Sequence, residues 1–307
     1  MRKNVFILCC LGMVILLNHS AFSQKITIEK SYPEAFLRAY DNYVNKNYAA
    51  SFEQFSALVE QTPQDREELL QDIMFYRASS AYEMMNKDAD ALLCELISLC
   101  PQSSHCNEAY FLLANFYARG ERYDQAIEVY SKMNVAILNQ DDKFEYYYKR
   151  GHCLFMLNRY DEALEEFDKV KDAKSKFAAP STYFYAHILY EQGRYNLALK
   201  EFLTLQEDKS FGKIVPYYIA HIYYYQENYE ELIKIAPSLS EKSQSKRSGE
   251  LNRMLGDAYY KLGQYKEATP YLIKAAEQEG ADVQDYYLLG FSLMEEKDFK
   301  QAKTYLA

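Results

Sequence analysis

LNRMLGDAYYKLGQYKEATPYLIKAA, residues Leu251 to Ala276, is the stretch from which the rest of the chain can be read. Leu255, Gly256 and Tyr259 share one helical face, because positions i, i+1 and i+4 lie close together at 3.6 residues per turn. Gly263 interrupts the pattern, as a residue with easy access to positive φ does at a helix end. A second apolar stripe follows, with Ala268, Leu272 and Ala275 at steps of four and three. Gly256 and Ala268 stand where two antiparallel helices must approach closely, and a larger side chain there would hold them apart. The stretch predicts a helix, a tight turn and a second helix lying back on the first.

The same pattern recurs along most of the chain. Aligned on the small residue of the first helix, the copies fall at Ala78, Ala114, Gly151, Ala186, Ala220, Gly256 and Gly290, at steps of 36, 37, 35, 34, 36 and 34. A small residue of the second helix follows 12 later at Ala126, Ala163, Ala198, Ala268 and Ala302. A Tyr-x-x-Ala start recurs as Tyr123-Ala126, Tyr160-Ala163, Tyr195-Ala198 and Tyr265-Ala268. One such motif is weak evidence, but several in register are strong. With these residues the chain resembles the tetratricopeptide repeat, a helix–turn–helix unit of about 34 residues. The resemblance implies an all-α fold, a right-handed superhelix of stacked antiparallel helix pairs (an α-solenoid). Its groove would be lined mainly by first helices and would bind a peptide or protein segment.

About eight pairs are expected over residues 24–307. The first two are degenerate: Ser31 to Pro63 carries Ser51 where alanine is expected, and Glu67 to Pro101 follows at a longer step. Asn134 to Lys143 reads as a polar connection. Pro216 to Ser240 is irregular, with Leu232 in place of the small residue and Pro237 inside the second helix, where proline removes a hydrogen bond. The serine- and charge-rich stretch after it reads as a loop, and 237–249 as a candidate hinge. The last copy, Gln284 to Ala307, is truncated within its second helix. A stack ending there would expose an apolar face, which points to the front part of a longer protein or, as the alternative, to a dimer that covers the open end.

Residues 1–23 read as a secretory signal peptide: Arg2 and Lys3, an apolar run from Val5 to Leu17, and a small-x-small site at Ala21-Phe22-Ser23. The apolar run is too short for a comfortable membrane span, so no span of its own is expected once the signal is removed. Export places the protein in the periplasm or outer envelope of a Gram-negative bacterium. Without Arg2 and Lys3 the chain holds 33 basic against 44 acidic residues. Such a balance with no basic run argues against nucleic acid as a partner. Cys100 and Cys106, flanking a Pro-Gln-Ser-Ser turn, are a candidate disulfide in an oxidising compartment, and Cys153 reads as a buried free thiol.

The helical wheel selects candidate groove residues at offsets −3, +1 and +4 from the small residue, a face about 100° from the packing face. They are Phe111 and Asn115; Tyr148, His152 and Phe155; Tyr183, His187 and Tyr190; Tyr217, His221 and Tyr224; and Arg253, Asp257 and Tyr260. Three consecutive copies thus present aromatic–His–aromatic, and three of the four histidines beyond the signal share one offset. Tyrosine and histidine offer flat apolar faces with polar tips, suited to an extended peptide or to sugar rings. The alternative is that these side chains pack between neighbouring repeats. A metal shared by the histidines is not expected, since equivalent positions in adjacent repeats lie about 10 Å apart and metal–nitrogen bonds are about 2 Å. No phosphate loop, His-Glu-x-x-His helix or Gly-x-Ser-x-Gly elbow occurs. The reading is a non-enzymatic scaffold without cofactor or metal that binds a protein or peptide partner. The alternatives are a glycan-binding module and a targeting arm of a longer protein.

Overall fold

The structure is a computed structural model in which residues 32–242, 246–278 and 280–306 are described. The expected signal peptide, residues 1–23, lies outside them. All regular structure among the described residues is helical. The chain divides into two compact units at Tyr146 and Tyr147.

Unit 1 holds α1 (Glu34–Val44), α2 (Tyr48–Gln61), α3 (Glu67–Glu83), α4 (Ala89–Leu99), α5 (Cys106–Arg119), α6 (Tyr123–Tyr130) and the first part of α7 (Gln140–Met156). Unit 2 holds the rest of α7, then α8 (Tyr160–Asp168), α9 (Ala178–Glu191), α10 (Tyr195–Thr204), α11 (Val215–Tyr225) and α12 (Tyr229–Lys242). It continues with α13 (Lys246–Lys261), α14 (Tyr265–Ala276), α15 (Val283–Glu295) and α16 (Phe299–Leu306). Within each unit successive helices pack on one another, as α2 does on α1, α5 on α4 and α14 on α13, and first helices of successive pairs also touch, as α1 does α3 and α13 does α15. This is the all-α solenoid arrangement expected from the repeat.

One backbone feature recurs in every pair. The residue seven after the small position adopts positive φ: Lys46, Met85, Glu121, Asn158, Gly193, Glu227, Gly263 and Lys297. This left-handed residue ends the first helix and turns the chain into the second. It also places Ala39, fully buried, as the small residue of the first pair. Ser51 then stands 12 later, buried, where Ser80 Oγ donates to its Oγ at 3.0 Å. The hydroxyl that departs from the repeat pattern is therefore satisfied across α2 and α3. Close approach is tightest in α13, where a Cβ on Gly256 would lie 2.5 Å from Leu272 Cδ2 of α14.

Two expected loops are largely helical. The connection Asn134 to Lys143 contains a 3-10 turn at Val135–Ile137, and α7 begins at Gln140. Its start is set by Asn139, whose Oδ1 accepts from the Asp142 backbone N–H at 2.9 Å. The expected loop after Pro237 is helical on both sides: α12 runs through Pro237 to Lys242, and α13 starts at Lys246. Residues 243–245 of the candidate hinge lie outside the described residues. Proline inside a helix costs about 3 kcal/mol. Here Leu232 and Ala236, buried against Leu251, Leu255 and Ala258, hold α12 on α13, with Ile233, Ile235 and Leu239 packed beside them. That apolar stripe at helical spacing outweighs the local penalty. Ser238 Oγ donates to the Ile235 carbonyl at 3.0 Å and adds a bond beside the break.

Candidate interaction face

The wheel face chosen from the sequence contains two kinds of position. Those at offset −3 are interior. Phe111, Tyr148, Tyr183 and Tyr217 are buried. Tyr148 stacks on Phe177 at 5.4 Å, and the Tyr183 hydroxyl lies 3.2 Å from that of Tyr218 in the following pair. The Tyr217 hydroxyl donates to Glu250 of the following pair. Arg253 forms two 2.6 Å bonds to the buried Asp285 carboxylate, again one pair on. For these residues the packing alternative holds: the offset meets the next repeat because the successive first helices lie side by side.

The +4 and +1 positions make a ladder. The +4 ring of one pair meets the +1 residue of the next: Tyr43 with Ser79 at 2.7 Å in unit 1. In unit 2 the corresponding pairs are Phe155 with His187, Tyr190 with His221, Tyr224 with Asp257, and Tyr260 with Phe291. Each +4 ring of unit 2 also touches the tyrosine that opens its own second helix, Tyr160, Tyr195, Tyr229 or Tyr265. The rings are held from both sides yet stay half-buried. Asn115 is interior, its Oδ1 accepting from the buried Tyr130 hydroxyl at 2.7 Å.

The histidines are held among neighbouring rings, His221 buried and His152 and His187 half-buried. Burial pushes His152 down to about 4, between Tyr148 and Phe184. Burial also lowers His187 and His221, opposed in each case by a nearby carboxylate, Glu191 and Glu250. His187 Nδ1 and His221 Nε2 have no hydrogen-bond partner among the described residues. These three side chains are therefore neutral near pH 7, and the face does not offer them as cations. The candidate disulfide is not formed in this structure. Cys106 opens α5 and its Sγ donates to the Cys100 carbonyl at 2.9 Å, and burial raises both thiols above their ordinary range. Cys153 is a buried free thiol pushed up to about 12 by burial.

Sequence reading missed a second row on this face, six residues before the small position: Asp72, Glu108 and Glu145, at steps of 36 and 37. The periodicity that found the repeat would have found it, had acids been aligned as well as aromatics.

Three segments match models of the tetratricopeptide repeat: residues 108–132, 144–173 and 251–282. They coincide with the pairs α5–α6, α7–α8 and α13–α14. The chain is a tetratricopeptide-repeat protein. A tetratricopeptide repeat protein from Parabacteroides merdae shares the fold at 16% identity and TM-score 0.50, covering 85% of this chain and 98% of that one. The C-terminal part of a tetratricopeptide repeat-containing protein from Cytophaga hutchinsonii is 23% identical at TM-score 0.47, over 62% of this chain and 74% of that one. Signal recognition particle subunit SRP72 of Dictyostelium discoideum is 27% identical over 199 residues, which span 65% of this chain and 28% of that protein. Tetratricopeptide repeats indicate a protein–protein interaction scaffold, of a family that is typically non-enzymatic. Among the described residues no helix is long and apolar enough to cross a membrane.

Proposed function

We propose that this repeat protein is a non-enzymatic scaffold of a Gram-negative cell envelope, exported by residues 1–23, that binds an extended segment of a partner protein along its first-helix face. The observation that carries the binding reading is the ladder. Tyr190, Tyr224 and Tyr260 are fixed by contacts from two sides while part of each ring stays open to solvent. Rings ordered before binding lose little conformational entropy when a ligand covers them. The reading is tested by affinity capture from envelope extract with residues 24–307, against a Tyr190→Ala/Tyr224→Ala/Tyr260→Ala variant of unchanged helicity by circular dichroism. A protein retained by the parent and lost by the variant supports a groove-binding scaffold. Identical capture by both places the contact elsewhere. Cell fractionation tests the envelope assignment, and recovery of the full-length chain in the cytoplasm overturns it.

One observation favours the glycan reading. Tyr225, 51% exposed, stacks on Tyr195 with centroids 5.2 Å apart and planes 11° from parallel, so a flat ring face is open at the edge of the pairs. Sugar rings stack on such surfaces. Retention on a glycan array that disappears with Tyr225→Ala supports this reading, and an array without signal excludes it for the sugars displayed.

A further inference from the structure

The junction between the second and third pairs holds two cysteines in one tight fold of the chain. Cys100 caps the end of α4, and Cys106 is the first residue of α5. Two successive turns join them. The Ser103 N–H donates to the Cys100 carbonyl at 3.0 Å, and the Cys106 N–H to the Ser103 carbonyl at 3.1 Å. His105 fastens this connection to α3. Its Nε2 lies 2.8 Å from Asp72 Oδ1, and its ring stacks on Phe75 at 4.1 Å, within 6° of parallel. Ser103, His105 and both cysteines are buried.

The double turn brings the Cys106 thiol onto the residue that carries the other thiol. Cys106 Sγ donates to the Cys100 carbonyl at 2.9 Å. A carbonyl oxygen lies about 2.4 Å from its own Cα, so the Cys106 sulfur stands no more than about 5 Å from the Cys100 Cα. The other thiols are placed differently. Cys94 lies six residues before Cys100 on α4, about 9 Å along the helix axis, beyond the Cα separation of about 7 Å that a disulfide spans. Cys153 is 1% exposed and belongs to unit 2.

We propose that Cys100 and Cys106 are a modification site, a dithiol that closes into an intramolecular disulfide and staples the end of α4 to the start of α5. The oxidant is a protein or small-molecule disulfide. One cysteine thiolate attacks a sulfur of that disulfide, which forms a mixed disulfide and releases the oxidant's other sulfur. The second thiolate attacks the cysteine sulfur of the mixed disulfide and expels the oxidant's remaining sulfur. Two electrons pass to the oxidant, and its two sulfurs leave as thiols carrying the protons the cysteines shed. Rotation about χ1 of Cys100 brings its sulfur to that of Cys106. The Cys100 carbonyl loses the thiol donor but keeps the Ser103 N–H, so the closed form leaves no buried acceptor unanswered. Burial raises both thiols above their ordinary range, which slows exchange in the folded chain. The oxidising compartment comes from the export reading above, and the pairing comes from the double turn.

The test is made on the purified full chain, reduced, freed of reductant and incubated with oxidised glutathione. Free thiols are then alkylated after unfolding, and cleavage after glutamate isolates residues 96–108, which contain Cys100 and Cys106 but not Cys94. That fragment should resist alkylation and weigh two hydrogens less than its reduced form. The oxidised protein should melt about 5 °C above the reduced one, because the bridge restrains the unfolded chain. Cys100→Ser and Cys106→Ser should each remove that difference, and Cys94→Ser should keep it. Alkylation of both cysteines in the fragment after oxidation, glutathione on either as the final product, or a link from either to Cys94 or Cys153 overturns the proposal. A bridge that forms without raising the melting temperature overturns the staple. A bridge that forms in a chain whose fractionation places it in the cytoplasm upholds the pairing and overturns the export reading alone.

Discussion

Unit 1 and unit 2 are built from one helix pair, yet they enclose opposite chemistries on the same face of the first helix. Unit 1 places carboxyls six before the small residue, and one of them, Glu108, is pushed up to about 8. Unit 2 places histidines one after it, and one of them, His152, is pushed down to about 4. Both shifts have the same cause, since enclosure disfavours whichever form is charged. The repeat geometry decides only that these offsets are enclosed. Which residue fills them decides the response to pH, and the two units respond in opposite directions.

The largest effect should come from breaking the Arg253–Asp285 pair of unit 2. Arg253→Ala leaves the Asp285 carboxylate buried and answered only by the backbone N–H of Asp282. The expected loss is about 3 kcal/mol, measured by urea unfolding at pH 7. Equal stability of variant and parent would mean that water answers Asp285 in place of arginine.

Next comes the pH comparison itself. The stabilisation linked to neutral His152 is fully present above its ordinary value near 6.5 and is lost as the pH falls from there towards 4. The loss is on the order of 2–3 kcal/mol. Glu108 runs the other way. Its contribution is fully present below the ordinary carboxyl range and is lost as the pH rises through 8, by on the order of 2 kcal/mol, since the side chain is only half-buried. Urea unfolding across pH 4–9 should therefore show losses on both sides. His152→Gln should flatten the acid side and Glu108→Gln the alkaline side. If either substitution flattens both sides, the two groups are not independent and the comparison fails.

The smallest effects concern the turn. Unit 2 fills two of its left-handed positions with Gly193 and Gly263, and a Cβ on either would meet no neighbour. Gly→Ala at either position should cost about 1 kcal/mol, all of it from the backbone. Unit 1 uses no glycine at these turns, so Glu121→Gly should be neutral or stabilising by a few tenths of a kcal/mol. Thermal melts resolve the difference. A loss on Glu121→Gly would mean that its side chain contributes to the turn.

Much of the fold was legible because its period is carried by small residues. Gly256 and Ala268 announce a close approach, and the left-handed residue at offset +7 follows from where the small residue sits. Pro237 misled because proline is a local signal, while the apolar stripe through Leu232, Ala236 and Leu239 is satisfied only by packing on α13. The candidate face was legible by angle but not by depth. A wheel places Tyr183 and Tyr224 on one side of a helix and cannot show that the next pair covers the first and leaves the second half open. Glu108 was missed for the same reason: a solvated acid and an enclosed one look identical in sequence.

The ladder has a consequence for how such a chain can change length. Each rung joins offset +4 of one pair to offset +1 of the next, so the rule of attachment is local and recurs at the five junctions that carry a rung. Duplication or loss of a whole pair therefore leaves two compatible ends to be rejoined, whereas a cut at any other interval does not. Tyr190 at one end and Asp257 at the other would meet after deletion of the pair between them, as Tyr224 and Asp257 meet now. In that sense the contact that rigidifies the stack also makes its units interchangeable by recombination, with tyrosine as the common coupling.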